Sequence, residues 1–123
     1  MARFHHVNLG VPPEKLDDEA TFLVDLLGYR PVKPDPSLGG IGARWYETHD
    51  GAQVHLSADP DHRPAARAHV AIEFGPELAD VEERLRNATV AFDQSQRAGF
   101  PRVLNCRDPA GNLWELRGDV IAS

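Results

Sequence analysis

Two stretches of this sequence repeat each other, and that repeat constrains the fold more than any other feature. His6-Val7-Asn8-Leu9 matches His69-Val70-Ala71-Ile72 at an offset of 63, and Gly51 to Leu56 matches Gly111 to Leu116 at an offset of 60. A chain that returns to the same order of elements builds two copies of one supersecondary unit. The small difference between the offsets amounts to one loop change.

Each copy opens on an alternating run. Within residues 4–11, His5, Val7, Leu9 and Val11 point one way, and Phe4, His6, Asn8 and Gly10 the other, which is the period of a half-buried strand. Pro13 then stands at a first helical position, Leu16, Ala20, Leu23 and Leu27 recur at helical spacing, and Gly28 is placed to end the helix. Glu14, Asp17, Asp18 and Glu19 read as its solvated outer face, near the positive end of the helix dipole. Residues 31–42, with three prolines and three glycines, read as a long connection, either a lid or a plain crossover. Runs at 43–48 and 52–57 about the Asp50-Gly51 turn predict a hairpin, and 58–67 a connector.

The same order follows again. Val70, Ile72 and Phe74 alternate with His69, Ala71 and Glu73, Pro76 opens a helix carrying Leu78, Val81 and Leu85, and strand-like runs lie near 90–93, 102–106 and 112–117. The expectation is an α+β chain made of βαβββ twice: module one 1–60, a connector about 58–67, and module two 67–118. At 123 residues and 41% apolar, the two modules suffice for one domain, 1–123.

Charge and composition remove several function classes. The net charge is −6 and the 13 Lys and Arg are scattered, which gives nucleic acid no electrostatic footprint. Apolar stretches are too short to span a membrane and no secretory signal core is visible, so the expected setting is soluble and cytoplasmic. The single cysteine, Cys106, excludes an internal disulfide and reads as a small buried hydrophobe.

Under the repeat, His6 falls on His69 and His55 falls on Glu115. Strand parity puts Val7, Leu9, Val54, Leu56, Val70, Ile72, Trp114 and Leu116 on the helix-covered side and these four polar residues on the other. If the halves pair by a pseudo-twofold, the four converge on one cavity. A strand histidine is most often a hydrogen-bonded structural residue, and Glu115 has a ready ion-pair partner in Arg117. Four coincidences of position and parity favour a divalent-metal site instead. Imidazoles and a carboxylate suit Zn, Ni, Co, Mn or ferrous iron. Parity puts His5 on the apolar face, and His49 and His62 fall in a turn and the connector, where a solvated role is expected. Asn8, Gln53, Glu73 and Arg117 share the ligand face and are candidate substrate contacts. Trp45 and Tyr46 are either sheet packing or contacts to an aromatic ligand.

These residues resemble the vicinal oxygen chelate superfamily, which groups glyoxalase I, extradiol dioxygenases, fosfomycin-resistance enzymes and bleomycin-resistance proteins. The likeness rests on the opening strand His6-Val7-Asn8-Leu9-Gly10-Val11, on Leu26-Leu27-Gly28-Tyr29, on His69-Val70-Ala71-Ile72, and above all on Asp108-Pro109-Ala110-Gly111-Asn112-Leu113-Trp114-Glu115-Leu116. It implies two βαβββ modules around an open, barrel-like mixed sheet, usually in a homodimer, with a metal on His6, His69 and Glu115. His55 stands where glyoxalase-like members carry a fourth ligand. No counterpart of the fosfomycin enzymes' basic C-terminal segment is present, the full ligand set differs from bleomycin-binding proteins, and no glutathione pocket is recognisable. Small bacterial glyoxalase-like proteins are the best likeness.

The function expected is that of a metal-dependent isomerase, lyase or dioxygenase acting on a small oxygen-chelating substrate. His55 and Glu115 are its expected catalytic residues, and His55 either binds metal or serves as general base. Asn8, Trp45, Glu73 and Arg117 are its expected substrate contacts. The alternative is a non-catalytic protein that sequesters a small molecule or antibiotic.

Overall fold

A computed structural model describes residues 1–38 and 42–123. It divides into two compact units, Met1–Arg63 and Pro64–Ser123. Each holds one four-stranded mixed sheet, open rather than closed into a barrel.

In the first unit β1 (His6–Val11) pairs in parallel with β4 (Gln53–Ala58), and β4, β3 (Arg44–Glu47) and β2 (Arg30–Val32) run antiparallel outward. In the second, β5 (His69–Gly75) pairs in parallel with β8 (Leu113–Val120), followed by β7 (Pro101–Arg107) and β6 (Phe92–Ser95). A crossover helix joins each parallel pair, as parallel strands require. The register repeats with the sequence: His6 lies opposite Gln53 and His69 opposite Leu113, and Trp45 opposite His55 and Asn105 opposite Glu115. The turns that set the register repeat as well. Gly51 N–H reaches Thr48 C=O at 3.0 Å and Gly111 N–H reaches Asp108 C=O at 2.8 Å, with the two glycines at φ 88° and 87°. Such a φ is one that only glycine adopts without strain.

The first helical segment runs through three geometries: a 3-10 turn at Pro13–Lys15, α-helix at Leu16–Thr21 (α1), and a wider π turn at Phe22–Leu26. Leu27 N–H accordingly reaches back to Phe22 C=O, and Gly28, at φ 84°, lets Tyr29 N–H cap Leu23 C=O at 2.9 Å. That is the helix stop expected of Gly28. Leu16, Phe22, Leu23 and Leu27 are buried with Tyr46, Val54 and Leu56 of the sheet.

Glu19 corrects the sequence reading. It is fully buried rather than part of a solvated acidic face. The reason is helical spacing: Glu19 is three residues after Leu16 and three before Phe22, which puts it on the apolar stripe. Asp17 does stay at the surface, where it pairs with Arg44 at 2.9 Å.

Arg30–Val32 is a second departure, because a stretch read as irregular forms a strand. Its position at the sheet edge tolerates Pro31, whose missing N–H would interrupt an inner strand. The suggested lid of residues 31–42 includes 39–41, which lie outside the described residues. In the second unit α2 (Leu78–Asn87) starts just after the expected Pro76 and buries Leu78, Val81 and Leu85. Leu78 packs where Gly118 leaves room, since a Cβ there would lie 2.8 Å from Leu78 Cδ2.

Candidate metal and substrate site

The strand period puts the candidate residues on the face of each sheet that the apolar core does not use. Along β8 the buried residues are Trp114, Leu116 and Gly118, and the half-exposed ones between them are Glu115 and Arg117. Along β1 the exposed positions are His6 and Asn8.

The second unit brings His69, Glu115, Arg117 and Glu73 together. Parallel register sets Glu73 beside Arg117, and Glu115 precedes Arg117 by two on the same face. His69 Nδ1 lies 2.8 Å from the Arg67 carbonyl oxygen, which can only accept. Nδ1 therefore carries a proton, and in the neutral imidazole the lone pair is on Nε2. Nε2 stands 3.6 Å from Glu115 Oε1, too far for a hydrogen bond. Atoms that share an ion at about 2.1 Å each are separated by about 3 to 4 Å. A backbone carbonyl on the far ring nitrogen is also the usual support of a metal-binding imidazole. The pair therefore fits a divalent ion in donor chemistry and in spacing. The other oxygen of Glu115, Oε2, accepts from Arg117 Nη1 at 2.8 Å, and Arg117 Nε donates to Glu73 Oε1 at 2.7 Å.

The first unit builds a stack of rings. Trp45 and His55 lie parallel with centroids 4.0 Å apart, and His6 covers His55 at 3.9 Å. His55 is only 6% exposed. Burial, followed by the neighbouring His6 and His5, pushes its imidazole down to about 4, so it is neutral near pH 7. A short chain sets its tautomer. Gln53 Nε2 donates to Glu47 Oε2 at 3.2 Å, which turns Gln53 Oε1 toward His55 Nε2 at 2.7 Å. The proton is then on His55 Nε2, and Nδ1 holds the lone pair. Glu47 is held in turn by Arg30. Stacked rings hold their in-plane lone pairs in two near-parallel planes, so His6 and His55 meet at one ion only after one ring turns.

Other assignments are revised. His5 precedes the strand, which begins at His6, so alternation does not carry it to the apolar face. It is exposed, and its Nδ1 lies 2.8 Å from His6 Nδ1. His62 is not simply solvated: its Nε2 is buried without a hydrogen-bond partner among the described residues, and its ring fills the space left by Gly10, where a Cβ would stand 2.8 Å from His62 Nδ1. No local pattern in the connector signals this, because the contact depends on the chain turning back over β1. Asn8 Oδ1 accepts from the Ser57 hydroxyl at 2.9 Å. Cys106 is buried and its thiol is pushed up to about 12, first by burial and then by Asp108, which excludes a thiolate nucleophile.

The Asp108–Asn112 turn is structural. Asp108 Oδ1 accepts from Ala110 and Asn112 N–H, and Oδ2 from the indole of Trp114 at 2.9 Å. This clamp fixes the start of β8, the strand that presents Glu115. Among the described residues no group of three or more His, Cys, Asp or Glu is gathered around a common point; the four candidate ligands occur as one pair in each unit. Nor, among these residues, is any helix long and apolar enough to cross a membrane.

No protein-family model matches the chain, and no curated protein sequence does. Solved structures do. A glyoxalase family protein from Bacillus anthracis has a TM-score of 0.84 over 97% of this chain and 96% of its own, at 18% identity. A glyoxalase/dioxygenase from Nostoc punctiforme has 0.79 over 95% and 90%, at 21% identity. A mutant of the fosfomycin resistance protein FosX from Listeria monocytogenes, complexed with Mn(II) and 1S,2S-dihydroxypropylphosphonic acid, has 0.79 over 98% and 94%, at 17% identity. At such identities the likeness is one of fold. The chain therefore has the α+β glyoxalase-like fold of two βαβββ modules.

Proposed function

We propose that this protein is a divalent-metal-dependent enzyme acting on a small substrate that offers two neighbouring oxygens, in an isomerase, lyase or dioxygenase type of reaction. The observation that carries the reading is the His69–Glu115 pair: an imidazole held at Nδ1 by a backbone carbonyl, with Nε2 3.6 Å from a carboxylate oxygen. His6, His69 and Glu115 would hold the ion, with His55 as fourth ligand or as base. The FosX complex with Mn(II) supports a metal on this fold. We also propose a homodimer, from the resemblance read in the sequence.

A bound divalent ion would supply Lewis acidity, stabilising negative charge that develops on a substrate oxygen. The protein's own groups then divide the remaining work. His55, neutral and with Nδ1 unprotonated, is suited to take a proton at that atom while Gln53 keeps Nε2–H in place. Trp45 backs His55 and limits its tilt. Asn8 on the ligand face of the first sheet, and Glu73 and Arg117 on that of the second, would orient the substrate.

A second reading rests on a different observation. The parallel Trp45–His55–His6 stack would suit a protein that holds a planar aromatic compound without turning it over. The two readings separate in one experiment, in which chelated and metal-reloaded protein is offered vicinal diols, hydroxyketones and catechols. The enzyme reading expects metal-dependent product that His69→Ala and His55→Ala abolish. Ligand affinity that survives both substitutions, with no product, would establish the sequestering protein instead.

A further inference from the structure

We infer that Arg117 is a positioning residue that occupies one oxygen of Glu115 and so leaves the other as the sole carboxylate donor to the metal. The inference rests on the metal-site reading above. The two Glu115 oxygens face different groups: Oε1 looks toward His69 Nε2 at 3.6 Å, and Oε2 accepts from Arg117 Nη1 at 2.8 Å. Arg117 is itself anchored, since its Nε donates to Glu73 Oε1 at 2.7 Å. Sheet geometry produces the arrangement. The parallel register sets Glu73 opposite Arg117, and the period of two puts Glu115 and Arg117 on one face.

A carboxylate is able to bind an ion through one oxygen or both. A planar guanidinium whose two donor edges are each committed to a carboxylate resists the rotation that would bring Oε2 to the ion. Holding Oε2 therefore keeps one further coordination position for the substrate, and a substrate that chelates through two oxygens needs two such positions. The side chains of Arg117 and Glu115 are 31% and 24% exposed, so water competes for the bond but the positions are not free surface.

The test uses the full chain loaded with Mn(II). Bound ion is counted by equilibrium dialysis, and the water exchanging on it is read by water-proton relaxation, for wild type, Arg117→Met, Arg117→Lys and Glu73→Gln. With Oε2 released, Arg117→Met retains the ion but loses an exchangeable water, and relaxation per bound ion falls by about half if two waters become one. Arg117→Lys, which keeps a donor, restores the wild-type value. Glu73→Gln, which only loosens the anchor, gives a smaller fall in the same direction and serves if Arg117→Met does not fold. Unchanged relaxation in Arg117→Met, or a fall that Arg117→Lys does not restore, overturns the inference and leaves the metal site standing. No Mn(II) uptake by wild type overturns both.

Discussion

Replacing Asp108 with alanine would remove the acceptor for three donors at once. Its carboxylate takes Ala110 N–H at 3.0 Å, Asn112 N–H at 2.8 Å and Trp114 Nε1–H at 2.9 Å. Asp108 is 5% exposed and Trp114 0%, so water cannot take over without opening the turn. A hydrogen bond to a charged group contributes about 1.5 to 3 kcal/mol net, and a buried donor left alone costs about 1 to 3 kcal/mol. The three bonds share one side chain and do not add, so the expected loss is about 3 to 5 kcal/mol. That is a large part of the roughly 5 to 15 kcal/mol that holds a typical domain. Asp108→Asn separates the contributions, because its carbonyl oxygen still serves the two backbone donors while its amide meets the indole N–H. The expected loss there is about 1 to 3 kcal/mol. Urea unfolding followed by far-ultraviolet circular dichroism and tryptophan emission measures both, as midpoint shifts at constant slope. An alanine variant within about 1 kcal/mol of wild type, or an asparagine variant as damaged as alanine, would refute this account of the turn.

Two further predictions follow from local geometry. Thr89 ends α2 at φ 58°, where the first unit uses Gly28. Thr89→Gly relieves left-handed strain and should stabilise the protein by about 0.5 to 1 kcal/mol, after the entropy glycine loses on folding; a lower urea midpoint would contradict this. His55 is depressed to about 4 in the fold from an ordinary 6.5, so the unfolded chain binds the proton more readily. Metal-free protein should therefore hold its full share of this stability above pH 6.5 and lose on the order of 3 kcal/mol as pH falls toward 4. His55→Gln should flatten that part of the profile, and an unchanged slope would show that His55 does not cause it.

Much of this fold was legible because both periods in the sequence are short-range. Alternation separates Val7 and Leu9 from His6 and Asn8, and helical spacing finds Leu78, Val81 and Leu85. The double offset predicts a strand register that the two parallel pairs share from His6 and His69 as far as Gly10 and Glu73, after which β5 shifts at a bulge. What local pattern did not give depends on surroundings. Arg30–Val32 contains a proline, and only its edge position makes it a strand. Glu19 reads as a charge by type and as core by spacing, and spacing decided. His62 reaches Gly10 by a turn of the chain that no periodicity encodes, and the Gln53 amide that sets the His55 tautomer is visible only once Glu47 lies beside it. The Asp108–Asn112 motif, the most recognisable in the chain, is held by hydrogen bonds that build β8. Its link to the candidate site is the strand it positions, through Glu115.

If His6, His55, His69 and Glu115 serve one bound ion, as proposed, counting bound metal reveals it. Protein purified without an affinity tag would be stripped with chelator, reloaded with Mn, Fe(II), Co, Ni or Zn in turn, dialysed and assayed by elemental analysis. One divalent ion per chain is expected for wild type, with uptake abolished in His69→Ala and Glu115→Gln and weakened in His6→Ala and His55→Ala. No retained ion, or a stoichiometry that none of the four substitutions changes, would contradict it.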